Sequence, residues 1–213
     1  MEVTIIYDNE AYDKGLKADW GFACLVETDG GHRILFDTGA NGDILLNNME
    51  KLDIDPASID EAFISHAHFD HTGGLSAFLG KNDKVKSYLP VSMSGISIPG
   101  NATFIDEAAE LHDGVYSSGE LSGTEQSMVC RIDKGLVVIV GCSHPGVNTI
   151  LDAASQWGKP YALIGGLHGF REFELLRGLE LVCACHCTQH RAGIEKFCQK
   201  QYNSGGAGRR LQL

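Results

Sequence analysis

Six consecutive residues constrain this chain more than any other feature. His66-Ala67-His68-Phe69-Asp70-His71 places three imidazoles and a carboxylate behind an apolar strand, Glu61–Ser65, and ahead of Thr72-Gly73-Gly74. That donor set suits a borderline cation such as zinc. In an extended segment residues 66, 68 and 70 share one side and His71 points elsewhere, so one short loop can serve two adjacent metal positions. The glycines let the backbone turn sharply into the next helix. The competing reading, a solvated His-rich loop, does not account for the buried strand that leads into it.

The rest of the chain alternates in a way that limits the architecture. Val3–Asp8 reads as a first strand. Gly21–Thr28 and Arg33–Asp37 form a hairpin through Asp29-Gly30-Gly31-His32. Thr38-Gly39-Ala40-Asn41 leads to a helix near Asp43–Lys51, with Ile44, Leu45 and Met49 at helical spacing. Pro56–Ile59 is a short turn, and Leu75–Leu79 opens a helix. Residues 81–124 show no sustained period beyond strand-like pieces such as Ser87–Met93; they read as loops and edge strands that contribute to a substrate wall.

Ser127–Ile132 and Leu136–Val140 make a second hairpin. Leu136-Val137-Val138-Ile139-Val140 lacks polar alternation, as a strand buried on both faces does. It ends at Gly141-Cys142-Ser143-His144, and a helix over about Val147–Gln156 follows. A buried strand, Tyr161–Ile164, ends at Gly165-Gly166-Leu167-His168. A helix near Arg171–Leu176 leads to the strand Glu180–Cys185, which ends at His186. Arg191–Gln201 reads as an amphipathic helix and Arg209–Leu213 as a short last strand. With no linker and no repeat, residues 1–213 form one layered α/β (α+β) domain.

Charge and composition remove several functions. The 17 Lys and Arg against 28 Asp and Glu give a formal net charge of −11. Such a surface repels phosphate backbones, so no nucleic acid is expected as partner. A small anionic substrate stays compatible, because a metal ion dominates the field close to it. No apolar run approaches the roughly 18 residues that span a bilayer, so no membrane partner is expected. The acidic N-terminus begins directly with a strand pattern and lacks a signal peptide, which implies a cytoplasmic location. Seven cysteines without a secretion signal argue against a disulfide framework, and no CxxC pair suggests a zinc ribbon. Cys183, Cys185 and Cys187 alternate, so a single strand would put them on one face as small buried hydrophobes, with metal ligation or redox chemistry as the alternative.

His66 to Gly74 resembles the HxHxDH signature of the metallo-β-lactamase superfamily, and Asp37-Thr38-Gly39 resembles its first motif. Gly141-Cys142-Ser143-His144-Pro145-Gly146, Gly165-Gly166-Leu167-His168 and His186-Cys187-Thr188 resemble one branch. That branch includes the dihydropterin ribofuranosylaminobenzene phosphate synthases and many uncharacterised metal-dependent hydrolases. The resemblance implies a four-layer αββα sandwich with the site at one edge of the two sheets. It implies a first metal on His66, His68 and His144, and a second on Asp70, His71 and His186. Zn2+ is the expected ion, two per site, with Mn2+, Fe2+ and Mg2+ as alternatives. A helix-capping role for His144 is the alternative to ligation. Asp37 is expected to support the metal loop through hydrogen bonds. His168 is expected to touch substrate or the transition state, with hydrogen bonding to a ligand as the alternative. His32, His112 and His190 read as surface residues. Trp20 and Phe22 read as core or rim.

Two departures qualify the resemblance. Many members carry an Asp at a strand end to bridge both metals; here that strand end is Gly-Cys-Ser-His, which leaves Cys142 as a thiolate or water alone for the bridge. The stretch from His71 to Cys130 is also short for the branch. The chemistry that follows is hydrolysis of a small ester, amide, lactone or phosphate, with Asp70 holding a metal and accepting a proton. The branch also implies an alternative, a transferase that condenses a pterin diphosphate with an aminobenzene ribofuranosyl phosphate. A non-catalytic metal-binding protein is a third reading. Di-iron oxygen-reducing members resemble HxExDH, and His68 stands where they have Glu.

Overall fold

The computed structural model describes residues 1–213 apart from Ser97 and Pro99. One sheet contains β1 (Glu2–Tyr7), β2 (Ala23–Glu27), β3 (Arg33–Phe36), β4 (Glu61–Phe63), β5 (Lys86–Pro90) and β6 (Asn101–Ile105) in that order. The other contains β7 (Ala109–His112), β8 (Val115–Ser117), β9 (Met128–Ile132), β10 (Gly135–Val140), β11 (Pro160–Gly166), β12 (Leu181–Cys185) and β13 (Tyr202–Ser204). The last strand, β14 (Arg210–Gln212), pairs antiparallel outside β1.

Each sheet begins antiparallel and turns parallel, and that switch positions the site. From β3 to β6 every neighbour is parallel, as are β10 to β13. Parallel strands need crossovers, and these supply α1 (Gly42–Lys51) and α3 (Leu75–Leu79) on the first sheet, and α4 (Val147–Ala154) and α5 (Arg191–Cys198) on the second. Asn41 starts α1 by accepting from the Asp43 and Ile44 amides.

Period-two alternation builds three apolar layers. Cys24 and Val26, Val137 and Ile139, and Cys183 and Cys185 face the core between the sheets. Leu25 and Leu35 face Leu45, Met49 and Phe78 of α1 and α3. Val138, Val140 and Val182 face Ile150 and Ile194 of α4 and α5. Central strands are therefore apolar on both sides, and each fully buried Val, Leu or Ile contributes about 1.5–3 kcal/mol. The result is the four-layer αββα sandwich. Among the described residues, no helix is long and apolar enough to cross a membrane.

Four readings need correction. Residues 81–124 contain four strands, and of these β5 and β8 are interior to their sheets; Ser97 and Pro99 of that stretch lie outside the described residues. Their partners lie in distant segments, which local periodicity does not encode. The expected helix near Arg171–Leu176 is a short 3-10 turn over Phe173–Leu176. The last helix stops at Cys198, and Tyr202–Ser204 pairs with β12. Cys187 leaves the strand face because His186 takes φ +44°, so Cys183 and Cys185 stay in the inter-sheet core and Cys187 turns towards Cys142.

Candidate metal centre

Five loops meet at the C-terminal ends of parallel strands, where open α/β sheets hold their ligands. Asp37 follows β3, the segment from Ser65 to His71 follows β4, Gly141–His144 follows β10, His168 follows β11 and His186 follows β12. Asp37, Ser143, His168 and His186 are non-glycine residues at φ +54°, +60°, +43° and +44°. Such backbone costs of order 1–3 kcal/mol each and persists only where the surroundings enforce it. Gly141 lets the two sheets approach: a Cβ there would collide with the Ser65 hydroxyl.

The six residues expected as ligands form two groups. His66, His68 and His144 bring their donor atoms within 4.8 Å of one another, and so do Asp70, His71 and His186. The path differs from the expected one. Helix α2 (Phe69–Thr72) begins after His68, so Asp70 and His71 sit on a helical turn rather than in an extended segment. His66 and His68 therefore face one group, and Asp70 and His71 the other. Cys142 lies between: its Sγ is 3.2 Å from His71 Nε2, and it groups both with His66 and His71 and with His186 and Cys187.

Each ligand loop rests on a buried carboxylate. Asp37 Oδ1 accepts the Ser65 amide at 2.7 Å; its Oδ2 accepts the Ser65 hydroxyl and His71 Nδ1, both at 2.7 Å. Glu125 Oε1 accepts the amides of Gly141, Cys142 and Ser143 at 2.9–3.1 Å, and Oε2 accepts that of His144 at 2.9 Å. Asp8 accepts the amides of Asn9, His186 and Gly206. Asp37 had the expected supporting role. Asp8, Asn9, Ser65 and Glu125 were not legible as site residues, although Asp8, like Asp37, stands directly after a strand.

This network fixes which ring nitrogens face inward. The Ser65 hydroxyl donates to Asp37, so it accepts from His66 Nδ1 at 2.9 Å. His71 Nδ1 donates to Asp37, and His186 Nδ1 donates to Asn9 Oδ1 at 2.9 Å. Nε2 of all three rings is thus the lone-pair atom and points into the site, the arrangement a metal-ligating imidazole needs. His186 Nε2 stands 3.1 Å from Asp70 Oδ2 outside hydrogen-bonding geometry, and His144 Nε2 is buried without a partner. Lone pairs that face each other or face nothing are costly, and a cation would satisfy them. The residues present fit a metal centre.

Electrostatics agree. Burial pushes the His66 imidazole far down, helped by His71, His144 and His68. Burial, with His68 and His168, lowers His144 to about 4. For His71 burial acts downward, but Asp37, Asp70 and Glu125 outweigh it and raise the ring. The Cys142 thiol donates to Cys187, which raises Cys142 and lowers Cys187 to about 5. Between pH 6.5 and about 4 the folded chain binds fewer protons at His144 than the unfolded chain, and His66 acts in the same sense. Stability is then present above the unfolded value and lost as pH falls; His71, Asp8 and Glu125, all raised, act the other way. Urea unfolding of chelator-treated protein should show a lower midpoint at pH 4.5 than at pH 6.5. An equal or higher midpoint at pH 4.5 contradicts the assignment.

The site opens to solvent. His68 and His168 are exposed, and Phe69 and Trp20 are 71% and 56% exposed beside them. Trp20 Nε1 donates to Asp70 Oδ2 at 2.8 Å, so Trp20 is rim, while Phe22 is core. His168 lies outside both donor groups; its ring centroid is 5.3 Å from that of His144. A groove of about 350 Å³ runs past Trp20 and His186 to Gln189 and Arg191.

The chain is similar to several known proteins. Residues 21–92 match the model of the Metallo-beta-lactamase superfamily. A Methanocaldococcus jannaschii protein, 7,8-dihydropterin-6-methyl-4-(beta-D-ribofuranosyl)-aminobenzene-5'-phosphate synthase, is 24% identical over 257 aligned positions, covering 89% of this chain and 87% of the relative. That alignment exceeds the 213-residue chain, so the relative carries insertions absent here. The crystal structure of Tm1679, a metal-dependent hydrolase of the beta-lactamase superfamily, superposes with TM-score 0.80 at 25% identity, covering 100% of this chain and 99% of that one. Zn2+-bound PqqB from Methylobacterium extorquens shares the fold, with TM-score 0.61, 13% identity and complete coverage of both chains.

Proposed function

We propose that this chain, which carries the fold and the HxHxDH loop of the metallo-β-lactamase superfamily, is a metal-dependent hydrolase acting on a small ester, amide, lactone or phosphate. The observation that carries this is the convergence of two donor groups, His66/His68/His144 and Asp70/His71/His186, at a solvent-open edge. Two zinc ions are the preferred occupants, since imidazole, carboxylate and thiol together suit a borderline cation better than Mg2+. When bound, such ions supply a nucleophile from water at neutral pH and polarise the bond to be cleaved. His66, His68 and His144 would hold one ion, and Asp70, His71 and His186 the other. Cys142, in the place of a bridging carboxylate, would stand between them.

The chain's own residues orient the reaction. Asp70, which accepts from Trp20 Nε1 at Oδ2, would serve as the proton acceptor. Trp20 and Phe69 offer an apolar wall, and residues 81–124 would supply more of it. His168, exposed and next to His144, would meet the substrate rather than the metal. His168→Ala should therefore leave metal content unchanged and lower kcat/KM about 10–100-fold; a fall in metal content instead would make it a ligand or the partner of one.

A second reading is favoured by the synthase match across 89% of the chain: a transferase joining a pterin diphosphate to an aminobenzene ribofuranosyl phosphate. The net charge of −11 supports a small molecule as substrate over nucleic acid. The deciding experiment incubates zinc-loaded protein with a panel of phosphoesters, lactones and amides, and separately with the two pterin-pathway substrates. Turnover with water alone supports the hydrolase. Diphosphate release that requires the aminobenzene partner establishes the transferase.

A further inference from the structure

At the opposite end of the sandwich, residues from both sheets meet again. Glu61 is the first residue of β4, whose far end leads to His66, five residues or about 16 Å along the chain. His112 ends β7 in the other sheet, and His32 closes the turn between β2 and β3. The turn is fixed: the Thr28 amide donates to His32 O at 2.9 Å, and the His32 amide donates to Thr28 Oγ1 at 3.1 Å. The two imidazole rings stack with centroids 4.0 Å apart. His112 Nε2 lies 2.7 Å from Glu61 Oε2, while the Tyr88 hydroxyl donates to Glu61 Oε1 at 3.1 Å.

We propose that His32, Glu61 and His112 form a second binding site for a divalent transition-metal ion, which staples the two sheets at the end remote from His66. One donor atom from each residue lies within 4.8 Å of the others. Glu61 is 8% exposed, so its carboxylate is withdrawn from water, and Tyr88 occupies one oxygen and leaves Oε2 to the imidazoles. An ion entering here displaces the proton shared by His112 and Glu61. Two imidazoles and one carboxylate, with solvent at the fourth position, select Zn2+, Co2+, Ni2+ or Cu2+ over Mg2+ and Ca2+. The site serves no substrate; it ties the β2–β3 turn to the β7–β8 hairpin. The inference stands on its own residues and not on the proposed hydrolysis.

The test is equilibrium dialysis of metal-stripped protein against zinc alone, with ions counted by plasma mass spectrometry. The parent chain should bind one ion more than His32→Ala, which keeps the Glu61–His112 pair and so its fold. His68→Ala, altered only at the other end, should retain the His32-dependent ion. Zinc should also raise the unfolding midpoint of the parent more than that of His32→Ala. Equal ion counts in parent and His32→Ala overturn the proposal, whatever the loop at 66–71 binds. So does a His32-dependent ion that survives in both His112→Ala and Glu61→Gln.

Discussion

Glu125→Ala should be less stable than the parent by about 3–5 kcal/mol in urea unfolding, and should lose the metal centre. Four consecutive backbone amides, Gly141 to His144, point at this one carboxylate, and Glu125 is fully buried. Removing it leaves the amides without an acceptor in a dry site. The strain at Ser143, φ +60°, is then no longer enforced, and Cys142 and His144 move with the loop. Glu125→Gln is the informative companion. Its amide oxygen can serve the three donors now on Oε1, but its NH2 faces the His144 amide, so the cost should be smaller, about 1–3 kcal/mol. Burial raises the Glu125 carboxyl, and the His144, Cys142 and Ser143 amides only partly offset it, so the Gln variant also reports whether charge or shape holds the loop. A loss under about 1 kcal/mol for Ala would mean that water replaces the carboxylate.

The second large effect is at the metal centre itself. His144→Ala and His186→Ala should each bind one ion fewer per chain than the parent, from opposite donor groups, and each should lower turnover more than about 100-fold. Residues that only hydrogen-bond to ligands typically cost 10–100-fold, so a ligand should exceed that range. His144 Nε2 has no protein partner and His186 Nε2 faces the Asp70 carboxylate without a proton between them, so neither Nε2 atom has a protein hydrogen bond to lose. Ion counting before and after each substitution decides it. Full occupancy in either variant would sink that residue's assignment and leave the other intact.

The sequence alone determined the parts whose chemistry is local. A run of six residues with four ligand-type side chains reads as a metal loop in any fold, and Leu136–Val140, apolar without alternation, reads as a strand covered on both faces. His144 and His186 were named through the family resemblance, and each lies just past the end of a buried strand. The tertiary structure decided what depends on residues far apart in sequence. Glu125 belongs to no motif; its role exists only because β9 and β10 fold it beneath the loop it supports. Asp8 serves His186 across 178 residues. Cys187 read as one of three cysteines on a strand face, until the left-handed backbone at His186 turned it towards Cys142. His32 and His112 read as surface histidines because nothing in either hairpin shows that the two sheets bring them onto Glu61. A donor set within one loop is specified by adjacent side chains. One assembled across sheets is specified by strand register, which only long-range pairing and burial can set.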